Sequence, residues 1–418
     1  MKNTPLFSTL RSFTLVLNVV TALTLIVNFA HPASAQTETV LYSFCPKGGG
    51  CPDGKNPGGL SADSAGNLYG ATAYGGTGNG GVAFKLTPLG QESLLYTFSR
   101  APYFGWQPTG QFIMDKQGNL YGTTSMGGTN SLHFQVGDGI AFKLSPDGTE
   151  TTLYNFGAYS TDGASPSAGL VMDASGNFYG TTELGGNRYG TIFRLTPDGV
   201  ETILHTFAND DTDGGYPSSS LVMDKNGNLY GTTSSGGSGG SGTVFEITAE
   251  GGYQILHSFA GGSDGALPIA SLTLDSKGNL YGTTYRANGL CCTNHDQGTV
   301  FELTPGSDGS WQETVLYNFI QQGDSCQQPA SNIVFDRNGN LYGTTNQGGA
   351  WKGGCLFEIT PAGKLTILHT FGDGDDAANP YGNIVFSHGN LYGTAGGGAY
   401  GEGAVFKFTP KKSGPASD

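Results

Sequence analysis

Six times along this chain an aspartate is followed, after three or four intervening residues, by a proline: Asp53 with Pro57, Asp162 with Pro166, Asp213 with Pro217, Asp264 with Pro268, Asp324 with Pro329 and Asp376 with Pro380. Carboxylates recurring in one structural position can converge, and a ring of them would hold Ca²⁺ or accept hydrogen bonds from sugar hydroxyls. The same pattern has a purely structural explanation, in which Asp-Gly makes a turn and Pro then sets the next strand, and regular repetition favours that explanation. One copy departs from the rule and reads Phe104-Gly105-Trp106-Gln107-Pro108.

Other side chains capable of chemistry are few. Trp106 and Trp351 fall in loop sequence, where an indole can serve as a platform for a sugar ring or a partner side chain. His133 and His295 lie in the two longest loops, whereas His205, His257 and His369 replace a recurrent Tyr and read as packing residues. Neither a G-x-S-x-G elbow nor H-E-x-x-H nor a P-loop occurs. Six cysteines, Cys45, Cys51, Cys291, Cys292, Cys326 and Cys355, lack the paired C-x-x-C spacing of a zinc site and are expected to form disulfides that pin loops. Cys45–Cys51 and Cys326–Cys355 are the economical pairs. Cys291 and Cys292 are left for a vicinal bridge, with pairing of either to Cys326 an open alternative.

Composition narrows the partners. Residues 1–35 carry Lys2 and Arg11, an apolar run from Phe13 to Phe29 and a terminal Ala33-Ser34-Ala35, the layout of a cleaved secretory signal peptide. The secreted or periplasmic product, with no membrane span after cleavage, then holds 17 basic against 33 acidic side chains, a net of −16. Such a surface repels phosphate backbones, so no nucleic-acid partner is expected.

The elements that position these residues come from one phrase repeated seven times: GNLYGAT at 66, GNLYGTT at 118, 227, 278 and 339, GNFYGTT at 176 and GNLYGTA at 389. Its tyrosines are separated by 52, 58, 51, 51, 61 and 50 residues, a period that suits propeller blades. Each unit splits into four β-prone runs, here called A to D, such as SLVMD (220–224), NLYGTT (228–233), TVFEIT (243–248) and YQILHSF (253–259). The A–B link Asp-x-x-Gly-Asn and the C–D link Thr-Pro-x-Gly are turn sequences. The seventh unit stops after run C, AVFKFT (404–409), and its missing run D stands at the start of the fold as ETVLYSF (38–44). The expected architecture is therefore an all-β, seven-bladed β-propeller of four-stranded blades over 36–410. The N-terminal strand completes the last blade and hides the seam. Residues 411–418, ending KKSGPASD, read as a short disordered tail without an anchor, and a monomer is expected.

The phrases GNLYGTT, G-T-V-F-x-L-T-P-x-G and L-Y/H-x-F resemble the GloVer-type tandem repeats of exported bacterial proteins from about residue 38 to 410. The A–B portion is also similar to NHL-type propeller repeats. Both resemblances imply the fold and neither brings an activity to map onto these residues.

In such a ring the B–C and D–A connections share one face. That face carries the length variation, in Ser125–Gly139 and Tyr285–Gly298, and variable loops on a rigid scaffold are where binding resides. Run A being innermost, the aspartates are expected around the channel mouth. The favoured function is a non-catalytic binding or scaffold protein that presents this face to a glycan or protein ligand and requires no cofactor, with Ca²⁺ as the candidate cation. The alternative is a cation-dependent lyase or hydrolase at the channel mouth. It would need Asp and His from blades 2 and 5 to converge there within hydrogen-bonding distance.

Overall fold

A computed structural model describes residues 37–46, 49–101, 103–108, 110–287, 297–319 and 326–410. The leader, the C-terminal tail, Cys291, Cys292, His295 and Asp324 lie outside the described residues. The described residues belong to one compact unit.

The described residues form a β-propeller of seven blades, each an antiparallel sheet of four or five strands, with two further two-stranded pairs beside blades 3 and 4. Blade 1 shows the plan, with strands A (Lys55–Ala62), B (Leu68–Tyr74), C (Asn79–Leu86) and D (Glu92–Ser99) adjacent in that order. In blades 2 and 6 the innermost strand is split, Gly105–Pro108 with Ile113–Met114 and Gln327–Pro329 with Val334–Phe335. Blade 7 closes as its sequence demands: Thr37–Ser43 pairs with strand C Ala404–Thr409, which continues through Asn390–Ala395 to Val385–Ser387.

The packing between blades explains the repeat. The Phe that ends strand D of each blade meets the Phe of strand C in the next: Phe44 with Phe84 at 5.1 Å, Phe156 with Phe193 at 5.0 Å, Phe259 with Phe301 at 5.1 Å and Phe371 with Phe406 at 4.9 Å between ring centroids. These rings are fully buried, so the ring of blades is held by apolar burial at every joint. The Gly of the phrase L-Y-G makes room for them. A Cβ on Gly231 would stand 2.5 Å from Phe245 Cζ, and one on Gly343 2.4 Å from Phe357 Cζ, so any larger residue would displace the Phe of strand C in its own blade. Strand D carries an extra residue opposite strand C, Leu41 in blade 7 and Leu204 in blade 3, and this bulge puts the Leu against the next blade while the following Tyr42 or His205 reaches the aspartate of the loop beyond.

Each Asp-x-x-Gly-Asn turn is self-contained. Asp63 Oδ1 accepts from the backbone N–H of Ala65 and Asn67, and Oδ2 accepts from Asn67 Nδ2 and Tyr69 Oη, so the Tyr of the phrase caps the turn before it.

Among the described residues two disulfides form, Cys45–Cys51 within the first D–A loop and Cys326–Cys355 across blade 6. They fit an oxidising compartment. They enclose sequence separations of 6 and 29 residues, which chain entropy converts to about 2 and about 3.6 kcal/mol. Replacing Cys326 and Cys355 by Ser is accordingly expected to cost more in urea unfolding than replacing Cys45 and Cys51. The reverse order would show that loop closure is not what these bridges contribute.

Candidate functional site

The D–A aspartates sit beside the outermost strand of the preceding blade. Asp53 accepts from Tyr42 Oη at 2.8 Å and from the Cys45 N–H at 3.0 Å. Asp162 accepts from Tyr154 Oη at 3.0 Å and the Ala158 N–H at 2.8 Å. Asp213, Asp264 and Asp376 face His205, His257 and His369 at 3.1, 2.9 and 2.9 Å and accept from the N–H of Ala208, Ala260 and Gly372. The expected ring of carboxylates around the channel mouth is thus not formed by these five. Each aspartate ties the aromatic or imidazole group of strand D to the loop that leaves it, at the rim.

At the rim a second carboxylate arrives from the next blade. Glu201, at the start of strand D in blade 3, receives the Tyr159 hydroxyl and lies near Asp162. Burial pushes its carboxyl from an ordinary 4.5 up to about 7; the Tyr159 hydrogen bond opposes the shift and the Asp162 charge adds to it. Between those values the folded protein holds a proton that the unfolded chain releases. The stabilising contribution is therefore complete below pH 4.5 and lost as pH rises to about 7. Glu201→Gln is expected to match the wild type in urea unfolding at pH 4 and exceed it at pH 8, by a modest margin because the group is partly solvated. A parallel pH dependence in both proteins would refute the assignment.

Blade 2 departs from the repeat on the loop-rich face. Asp138, wholly buried, accepts from the N–H of His133 and Phe134 and faces His133 Nδ1 at 3.1 Å. This pairing organises the long B–C loop, and neither residue lines the channel mouth. Trp106 is half-buried, with the Arg100 guanidinium 4.6 Å from its ring centroid, beside exposed Tyr103 and Val136 around a cavity of about 460 Å³. Trp351 stands in the open at 55% exposure. Trp311 packs against the Tyr230 ring at 6.0 Å between blades 4 and 5, which makes it structural.

The channel itself is built from one sequence position, the residue before the first apolar residue of strand A: Gly59, Gln111, Gly169, Ser220, Ser271, Asn332 and Asn383. Their polar groups link blades around the axis. Asn383 Nδ2 donates to Gln111 Oε1 at 2.7 Å across the front of Gly59. The Gly169 N–H donates to Ser220 Oγ at 2.8 Å, the Ser220 N–H to Ser271 Oγ at 3.1 Å and the Ile384 N–H to Asn332 Oδ1 at 2.9 Å. Threonines of strand B add bonds to the neighbouring blade, Thr123 Oγ1 to the Ala168 carbonyl at 2.8 Å and Thr394 Oγ1 to that of Gly58 at 2.9 Å. Above this belt, on the loop-rich face, opens a cavity of about 490 Å³ lined by Asn56, Gln111, Ser218, Ser219 and Asn383, with half-exposed Tyr381 at its edge. Ser218 Oγ is buried there without a hydrogen-bond partner. Below the belt the channel turns apolar, with Ile113, Val171, Met172, Val222 and Met223. No carboxylate, imidazole or cationic group lines the upper cavity among the described residues. Sequence reading missed this position, whose only signal is that all seven copies are Gly, Ser or a carboxamide.

Fold and channel define the class as a seven-bladed β-propeller with a neutral, hydrogen-bonding channel mouth. Residues 56–294 and 292–416 match the Gloeobacter/Verrucomicrobia repeat, and the chain belongs to that family. No curated protein matches it in sequence. Among solved structures it is similar to virginiamycin B lyase from Staphylococcus aureus, at 12% identity and a TM-score of 0.57, over 90% of this chain and 98% of that one. A catalytically inactive variant of that lyase with quinupristin aligns at 13% identity and 0.56, over 90% of this chain and 100% of that one. A gluconolactonase from Xanthomonas campestris aligns at 16% identity and 0.41, over 70% and 82%. At such identities the two lyase structures show a shared fold alone. Among the described residues no helix is long and apolar enough to cross a membrane.

Proposed function

We propose that the protein is an exported, non-catalytic binding protein whose loop-rich face takes a neutral glycan at the channel mouth. One observation carries this reading: the upper cavity is lined by hydroxyl and carboxamide side chains without a charged one among them. Such a lining matches a ligand that is itself a dense array of neutral donors and acceptors, and a cavity of about 490 Å³ is of ordinary ligand size. The net of −16 outside the leader disfavours acidic polysaccharides. A cation-dependent lyase or hydrolase at the same mouth would need an acid–base pair, for which these groups are unsuited.

The test is calorimetric titration with a panel of neutral oligosaccharides, with and without EDTA, followed by mass analysis of each glycan. Ser218→Tyr, which fills the mouth, should weaken the binding at least about tenfold, or about 1.4 kcal/mol. EDTA should leave it unchanged and the sugar should be recovered intact. Binding that survives the plug, a cleaved product, or no binding across the panel would each overturn the proposal.

A further inference from the structure

The rim joints share a plan but differ in chemistry. Each joins the Tyr or His of strand D, the Asp of the following loop and the residue that opens strand D of the next blade. Two described joints read Tyr, Asp, Glu: Tyr42, Asp53 and Glu92, then Tyr154, Asp162 and Glu201. One reads His, Asp, Tyr, with Tyr253 stacked on the His205 ring at 3.8 Å and 8° and turned towards Asp213. Only two of the described joints combine His with both carboxylates. They are His257, Asp264 and Glu313 between blades 4 and 5, and His369, Asp376 and Glu38 between blades 6 and 7.

In both of these an imidazole nitrogen and one oxygen from each carboxylate lie within 4.8 Å of one another. The imidazole Nε2 stands 2.9 Å from the Asp oxygen in each, a little inside the roughly 3.0–3.4 Å that separates neighbouring donors around an octahedral or tetrahedral ion bound at about 2.1 Å. In each Glu, Oε1 is buried and has no hydrogen-bond partner. Glu92 and Glu201 share that orphaned oxygen, but their joints offer a phenol hydroxyl where these offer imidazole, and a neutral phenol is a far poorer ligand.

We propose that these two joints are binding sites for a first-row divalent cation such as Zn²⁺, held by His257, Asp264 and Glu313 in one and by His369, Asp376 and Glu38 in the other. Imidazole with two carboxylates is a borderline donor set that suits such ions, and three protein ligands leave room for water. Binding replaces the His–Asp hydrogen bond: Nε2 turns its lone pair to the ion and the imidazole keeps its proton on Nδ1. Each ion straps neighbouring blades together. The second also fastens the N-terminal strand, which carries Glu38, to the loop that leaves blade 6. The sites lie at the rim and are independent of the channel mouth and of the glycan reading.

The experiment is equilibrium dialysis of the purified protein against Zn²⁺ with metal analysis, alongside thermal unfolding with Zn²⁺ and with EDTA. The variants are His257→Tyr, His369→Tyr and the pair together. Tyr occupies this position in blades 1, 2, 5 and 7, so each variant imitates a joint that the fold already uses. The expected result is two equivalents in the wild type, one in each single variant and none in the double. The wild-type unfolding midpoint should rise with Zn²⁺ by several degrees, which the double variant should not show. Equal zinc in wild type and double variant would overturn the proposal, as would no zinc in either. A wild-type midpoint that follows pH but ignores Zn²⁺ would assign the site to a shared proton and equally overturn it.

Discussion

Removal of residues 36–44 is expected to abolish closure of the ring. Those residues supply strand D of blade 7 through Thr37–Ser43, and without it strand C Ala404–Thr409 becomes a bare edge with buried Val405 and Phe406 uncovered. The loss reaches into blade 1, because Phe44, Leu41 and Tyr42 pack with Phe84, Leu60 and Val82. Four apolar side chains, Val40, Leu41, Tyr42 and Phe44, at about 1.5–3 kcal/mol each when buried, represent on the order of 6 kcal/mol or more. That is comparable to the whole stability of an ordinary domain, about 5–15 kcal/mol. The open edge also invites pairing between chains. Gel filtration and circular dichroism should therefore find aggregate or a midpoint lowered by well over ten degrees. A monomer with the wild-type midpoint would show that the ring does not depend on its N-terminal strand.

Asp162→Ala is expected to be the most costly single substitution among the rim aspartates. The side chain is wholly buried, and it accepts from Tyr154 Oη at 3.0 Å, from the Ala158 N–H at 2.8 Å and from the Gly163 N–H at 2.6 Å. Alanine leaves the Ala158 and Gly163 N–H groups without an acceptor and Tyr154 Oη with Glu201 Oε2 alone at 3.4 Å; two orphaned donors at about 1–3 kcal/mol each give roughly 2–6 kcal/mol. Asp162→Asn keeps one oxygen and should lose about half as much. Urea unfolding reads both values. A change below about 1 kcal/mol for the alanine variant would release the aspartate from its structural role and reopen the case for a ligand there.

The architecture was legible in the sequence because a propeller must solve one packing problem seven times. The Gly of L-Y-G makes room for the Phe of strand C, that Phe meets the Phe that ends strand D of the preceding blade, and any ring of this kind repeats the three. The open seam was legible for the same reason, since AVFKFT needs a neighbour and only ETVLYSF is left to provide it. The aspartates were misplaced by a geometric assumption. A D–A loop begins at the outermost strand and ends at the innermost, and Asp stands at its outer end while Pro stands at the inner one. The Tyr or His that meets the Asp comes before a Phe and a turn, so no local motif couples the two. The channel belt was opaque because it is one residue per blade with no shared chemistry: Gln111 spans the channel front only because position 59 is Gly, a relation between distant residues. Asp138 was hidden likewise, its role set by a loop that folds back on it.

The most direct measurement of where this protein meets its ligand is hydrogen–deuterium exchange, with and without the tightest neutral oligosaccharide of the panel. The account predicts slowed exchange at the channel mouth, in residues 56–59, 110–111, 167–169, 218–220, 269–271 and 381–383, with the rim unchanged. Protection confined to the rim joints, around 257–264 and 369–376, or to the blade 2 loop around 127–137, would contradict it.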